Sequence, residues 1–121
     1  MKKIKFLTIA LFAAVFALNA QTQVHDHSKM LPIKTDTVKV LGNCDMCKAR
    51  IENAVKSEGA TSALWSADTK LLVVSYDPSK TSIDNLLKKI AAVGHDNEKY
   101  RADDKVYNTL PACCKYERGK F

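Results

Sequence analysis

The chain has 121 residues, with 19 lysines and arginines against 13 aspartates and glutamates, and four cysteines. Charge of both signs is spread along it, with no basic run interleaved with aromatics, so nucleic acid is not an expected partner. No paired carboxylates and no nucleophile-base arrangement stand out, which leaves hydrolytic catalysis without support.

Lys2, Lys3 and Lys5 precede an apolar stretch from Phe6 to Leu18, and Asn19-Ala20-Gln21 follows as a cleavage site. That order is the layout of a secretory signal peptide, expected over residues 1–20. The stretch is shorter than the about 20 apolar residues a membrane-spanning helix needs. No later segment approaches that length, so no membrane span is expected after its removal. An exported, periplasmic location is the corresponding expectation. Without the three leader lysines, 16 basic residues face 13 acidic ones, a net charge of about +3. About 100 residues then remain, enough for one domain with a limited core.

Residues 21–33 are mostly polar and lack periodicity, as in a mobile N-terminal arm; His25 and His27 there can form at most a weak Cu(II) or Zn(II) site. Thr35 to Leu41 alternates polar residues with Val38 and Val40, the pattern of a half-buried strand, and ends at Gly42-Asn43. From Cys47, Ile51, Ala54 and Val55 recur at helical spacing until Gly59. Ala60 to Ala67 reads as a strand, Asp68-Thr69-Lys70 as a hairpin turn, and Leu71 to Tyr76 as a strand stopped by Asp77-Pro78. Thr81 can cap a second helix, with Asp84 three residues on. Ile83, Leu86, Leu87, Ile90 and Ala91 form its apolar face, and Gly94 ends it. Residues 95–101 are polar, but their place after the second helix suits an edge strand. The order is strand, helix, strand, strand, helix, strand. Residues 102–121 are too apolar for a plain tail and are expected to pack against the body.

The cysteines form two close pairs, Cys44-Asp45-Met46-Cys47 and the adjacent Cys113-Cys114. Four cysteines in a short exported chain would ordinarily suggest disulfides, and cross-pairing stays open if the tail folds back. A Cys-x-x-Cys where a loop enters a helix has another use. Both sulfurs can face one ion, and the helix N-terminus favours thiolates. Thiolates select soft ions, and two sulfurs fit near-linear Cu(I) or Hg(II) better than tetrahedral Zn(II) or Cd(II). Lys48 and Arg50 add positive potential, or form a solvated helix face, while Asp45 acts the other way. Met46 is a thioether donor or a packing residue.

The segment Lys34 to Arg101 resembles the heavy-metal-associated domain family of copper chaperones, copper-ATPase modules and the periplasmic mercury-binding protein. The resemblance rests on Gly42-Asn43-Cys44-Asp45-Met46-Cys47, Ile51-Glu52-Asn53-Ala54-Val55, Gly59-Ala60-Thr61-Ser62-Ala63, Val74-Ser75-Tyr76-Asp77-Pro78 and Val93-Gly94-His95. It implies an α+β, ferredoxin-like βαββαβ sandwich, a four-stranded antiparallel sheet with two helices on one face. It implies Cys44 and Cys47 as metal ligands. In the usual motif a methionine stands two residues before the first cysteine; here Gly42 removes that packing anchor. The domain is bounded at 34–101, with 102–121 as an extension carrying the second cysteine pair.

His95 is a candidate third ligand or a surface residue opening the last strand. Cys113 and Cys114 can close the site, pass metal, or sit oxidised. The resulting expectation is a Cu(I) chaperone or carrier, with Hg(II), Zn(II) or Cd(II) as alternatives. Its partner is a metal-donating or metal-accepting protein such as a transport ATPase or efflux component. A metal-sequestering buffer or sensor and a thiol-disulfide oxidoreductase are the competing readings.

Overall fold

The computed structural model describes residues 32–119. The expected signal peptide, and His25 and His27 of the arm, lie outside the described residues. Three strands, β1 (Lys34–Lys39), β2 (Ala60–Trp65) and β3 (Leu71–Tyr76), form an antiparallel sheet in the order β1-β3-β2. The register runs from Lys34 opposite Tyr76 to Lys39 opposite Leu71, and from Ala60 opposite Tyr76 to Trp65 opposite Leu72, with a bulge between Ala60 and Ser62. Alternation in β3 buries Leu72, Val74 and Tyr76 and leaves Leu71 and Val73 exposed, so the sheet has one covered face.

Two helices supply the cover. Helix α1 (Asp45–Ser57) buries Cys47, Ile51, Ala54 and Val55, and α2 (Ile83–Ala92) buries Leu86, Leu87, Ile90 and Ala91. Both stop where a left-handed glycine follows, Gly59 at φ +108 and Gly94 at φ +106, a conformation that side chains with a Cβ rarely adopt. Capping of α2 falls one residue later than the sequence suggests. Ser82, not Thr81, accepts from the Asn85 N–H at 3.1 Å; Thr81 is buried and its hydroxyl finds no hydrogen-bond partner.

The fourth strand expected over 95–101 is reduced among the described residues to one bridge, Val40 opposite Asn97. Leu41 donates to the Asp96 carbonyl at 2.8 Å and Glu98 to the Lys39 carbonyl at 3.1 Å, so the segment does reach the β1 edge. It cannot continue because Asn97 makes a tight turn. Its side-chain oxygen accepts from the N–H groups of Lys99 and Tyr100, and its amide donates to the Leu87 carbonyl at 2.9 Å. An asparagine that bonds its own backbone competes with a ladder and wins here.

Residues after 101 form a strap. It comprises α3 (Asp104–Asn108) and a single 3₁₀ turn (Ala112–Cys114), and it places Leu110, Cys114 and Tyr116 in the same core as Val40, Cys47, Ile51 and Trp65.

Candidate metal centre

Cys44 stands at the N-cap of α1 in extended backbone, and Cys47 lies one turn in, which brings their sulfurs to 3.6 Å. The loop before them rests on Trp65. A Cβ at Gly42 would lie 3.0 Å from the Trp65 ring and 3.0 Å from the Cys47 Cβ, so the indole fills the space that the sequence alone left without an anchor. The indole N–H donates to the Val40 carbonyl at 3.0 Å, and the Lys70 ammonium, over the indole, donates to the Gly42 carbonyl. Glu52 accepts from the Trp65 N–H at 3.1 Å and from Lys48 at 2.7 Å, tying the first turns of α1 to the end of β2. Burial alone would raise the Glu52 carboxyl, but Lys48 and the Trp65 N–H outweigh it and hold it below its ordinary value.

A third sulfur joins the pair. Cys114 Sγ lies 3.6 Å from Cys44 Sγ, and the sulfurs of Cys44, Cys47 and Cys114 all lie within 4.8 Å of one another. This group can hold a metal ion. Cys47 and Cys114 are buried, Cys44 is half-buried and Cys113 is exposed. Cys113 Sγ faces outward, 3.4 Å from Met46 Sδ and 3.9 Å from Cys114 Sγ.

The electrostatics separate the thiols. The backbone N–H of Cys47 at the start of α1 pulls the Cys44 thiol down to about 7, so a thiolate is available near neutrality. Burial pushes Cys47 up to about 11. Burial also raises Cys114, against the Arg50 guanidinium, which donates to its sulfur at 3.3 Å. Of the two cations after the motif, Arg50 reaches a sulfur. Lys48 serves Glu52 and the Trp65 carbonyl instead.

His95 is neither a surface residue nor a member of the three-sulfur group. It is fully buried, its Nδ1 lies 2.8 Å from the Leu41 carbonyl, and its ring stacks on Tyr116 with centroids 5.5 Å apart. The carbonyl requires a proton on Nδ1. Burial pushes the imidazole down to about 4, so it stands neutral.

Sequence reading missed how Cys114 is fixed. The Tyr116 hydroxyl donates to the Gly94 carbonyl at 2.7 Å and accepts from the Asp96 N–H at 2.8 Å. Arg118 forms a two-pronged pair with the buried Asp96 carboxylate, both contacts at 2.9 Å, and also bonds the Ala102 carbonyl and Asp104. Leu110 packs within 3.0 Å of where a Gly94 Cβ would stand. The signal lay in the sequence only as isolated residues, Asp96, Tyr116 and Arg118, at separations that carry no periodicity.

Residues 34–96, just over half of the chain, match the heavy-metal-associated domain. A copper-exporting P-type ATPase of Staphylococcus saprophyticus is 37% identical over 65 residues, 52% of this chain and 8% of the ATPase. The chain therefore spans a small fraction of that relative's length. Among solved structures, the CopZ metallochaperone aligns with TM-score 0.51 and 29% identity over 53% of this chain and 98% of its own. The water-soluble region of the P-type ATPase CopA from Bacillus subtilis aligns with TM-score 0.53 and 31% identity, covering 56% of this chain and 46% of that one. Oxidized MerP from Ralstonia metallidurans CH34 aligns with TM-score 0.50 and 28% identity, covering 56% of this chain and all of that one.

Proposed function

The chain belongs to the heavy-metal-associated domain family, and from that premise we propose that it is an exported, periplasmic carrier of Cu(I), held by the thiolates of Cys44 and Cys47. The observation that carries this reading is the 3.6 Å approach of the two sulfurs at the first turn of α1, on a loop braced by Trp65. We read the architecture as the ferredoxin-like βαββαβ plan with its last strand shortened to the Val40–Asn97 bridge.

The thiol at the helix start loses its proton first, takes the ion, and brings it to the second sulfur, which gives up its own proton to solvent as it binds. A soft monovalent ion suits sulfur ligands and low coordination. Low coordination lets an incoming thiolate attack the ion, so transfer proceeds by ligand exchange without release into water. A transport ATPase is the partner class this favours, since a copper-exporting ATPase and a metallochaperone are among the similar proteins.

The test is an anaerobic Cu(I) titration of the reduced protein against a chromophoric competitor, beside the double variant Cys44→Ser and Cys47→Ser. Tight binding of one ion per chain, lost in the variant, is the expected result. Binding unchanged in the variant contradicts the carrier reading, and more than one tightly held ion per chain favours a buffer.

A further inference from the structure

We infer that the C-terminal strap supplies Cys114 as a third thiolate, so that the chain holds a soft d¹⁰ ion in a closed three-sulfur site that a partner must open to take the ion. This deepens the reading of Cys44 and Cys47 as the metal pair and rests on it.

Geometry is the first support. Sulfurs sharing one ion at about 2.3 Å stand about 4 Å apart in a trigonal plane and about 4.6 Å apart across a linear site. The observed separations of 3.6 Å from Cys44 to each of the other two lie nearer the trigonal value, and all three sulfurs stay within 4.8 Å of one another. A linear pair would require Cys44 and Cys47 to part, although Cys47 is fixed in the core beneath Trp65 and Gly42.

Charge is the second. Three thiolates around a monovalent cation leave two excess negative charges in a largely buried place, which is costly without a counter-charge. Arg50 supplies one, aimed at Cys114 Sγ at 3.3 Å, the sulfur that the Cys-x-x-Cys motif does not contain. Each of the three thiols releases its proton to solvent as the ion binds.

The strap's anchorage is the third. Tyr116 and Arg118 lock onto Gly94 and Asp96, two and four residues beyond Cys114, while Pro111 accepts from the Cys114 N–H at 2.8 Å. Cys114 is therefore placed by buried contacts independent of any ion. Its neighbour Cys113 points outward to Met46 and stays outside the three-sulfur set. In the loaded chain Cys114 occupies the coordination position an incoming partner thiolate would otherwise take. Hand-over then requires displacement of Cys114, which makes the strap a retention device.

The test combines the sulfur count around bound Cu(I), read by X-ray absorption on the loaded protein, with competitor titration. The intact chain is expected to show three sulfurs, Cys113→Ser still three, and Cys114→Ser or Cys114→Ala two, with affinity lowered by more than tenfold. Arg50→Gln is expected to weaken binding about 10–100-fold, as for loss of an outer partner of a ligand. The same change in the Cys114→Ser background should do nothing further. Two sulfurs in the intact chain with tight binding, or three in both Cys114 variants, overturns the proposal and leaves the two-thiol carrier standing. Failure of the intact chain to bind Cu(I) overturns the carrier reading and this inference with it.

Discussion

The metal loop and the strap each bring a sulfur to 3.6 Å from Cys44, by opposite means. Cys47 arrives through local structure: three residues after Cys44, it is set by the first turn of a helix and by the indole under Gly42. Cys114 arrives from 70 residues away, and its position depends on a hydroxyl bridge from Tyr116 and an ion pair from Arg118. A motif read from spacing therefore describes the part of a site that local backbone can build. The rest is set by tertiary contacts that residues beyond the matched 34–96 make back onto Gly94 and Asp96.

Cutting the strap loose while leaving the loop intact should have the largest effect. Arg118→Ala leaves the buried Asp96 carboxylate with only the Ala102 N–H at 2.7 Å and the Arg101 guanidinium at 3.9 Å, which costs up to about 3 kcal/mol. Burial alone would raise that carboxyl, and Arg118 is the main group holding it low. Chemical denaturation should show the loss, and cysteine labelling should show Cys114 newly reactive. Stability within 1 kcal/mol of the parent would mean that the pair does not anchor the strap.

Acid should act at the seam between the two regions, where His95 bonds the loop at Leu41 and stacks on the strap at Tyr116. Its folded value of about 4 lies below the ordinary 6.5, so the unfolded chain binds the extra proton. Stability is then complete above pH 6.5 and falls as pH drops toward 4, by up to about 3 kcal/mol. The depressed carboxyls of Glu52 and Asp96 act in the same direction, but their contribution is lost only below their ordinary values of 4.5 and 3.8. Denaturation midpoints measured from pH 7 to 5 should slope less steeply in His95→Gln than in the parent. Equal slopes would remove His95 from the account.

Tyr116→Phe isolates a smaller part of the strap. It deprives the Gly94 carbonyl and the Asp96 N–H of their shared partner and should cost about 1–3 kcal/mol. Heteronuclear spectra are expected to change around residues 94–96 and 110–118 and to leave the amides of 44–50 in place. Changes spread evenly over α1 would show that loop and strap are not separable.

The smallest effect is confined to the loop and concerns reactivity. In the reduced, metal-free protein, Cys44 should alkylate with a midpoint near pH 7, set by the Cys47 N–H. Cys47 should resist until far higher pH because burial raises it to about 11. Mass spectrometry of modified peptides across pH checks both, and a Cys44 midpoint at 9 would refute the helix-start effect.

Most of the fold was legible where apolar periodicity is regular. The strand alternation of 71–76, the apolar stripe from Ile83 to Ala91 and the two helix-stopping glycines appear where the sequence puts them. Legibility fails where one side chain outweighs the pattern. Asn97 curls the last strand into a turn, Ser82 takes the cap from Thr81, and Arg50 rather than Lys48 faces a sulfur. His95 is polar yet buried because Leu41 and Tyr116 receive it. The close approach of the Cys44 and Cys47 sulfurs was legible in their spacing. Cys114 was readable only as a candidate, since nothing within the tail says which of two adjacent thiols turns inward.

The most direct test of the account is to add one equivalent of Cu(I) anaerobically to the reduced, isotope-labelled protein and map the amide shifts. The shifts are expected to concentrate at Gly42–Arg50 and at residues 112–116, with the sheet residues of β2 and β3 unmoved. Shifts confined to other parts of the chain, such as the segment carrying His25 and His27, would contradict it.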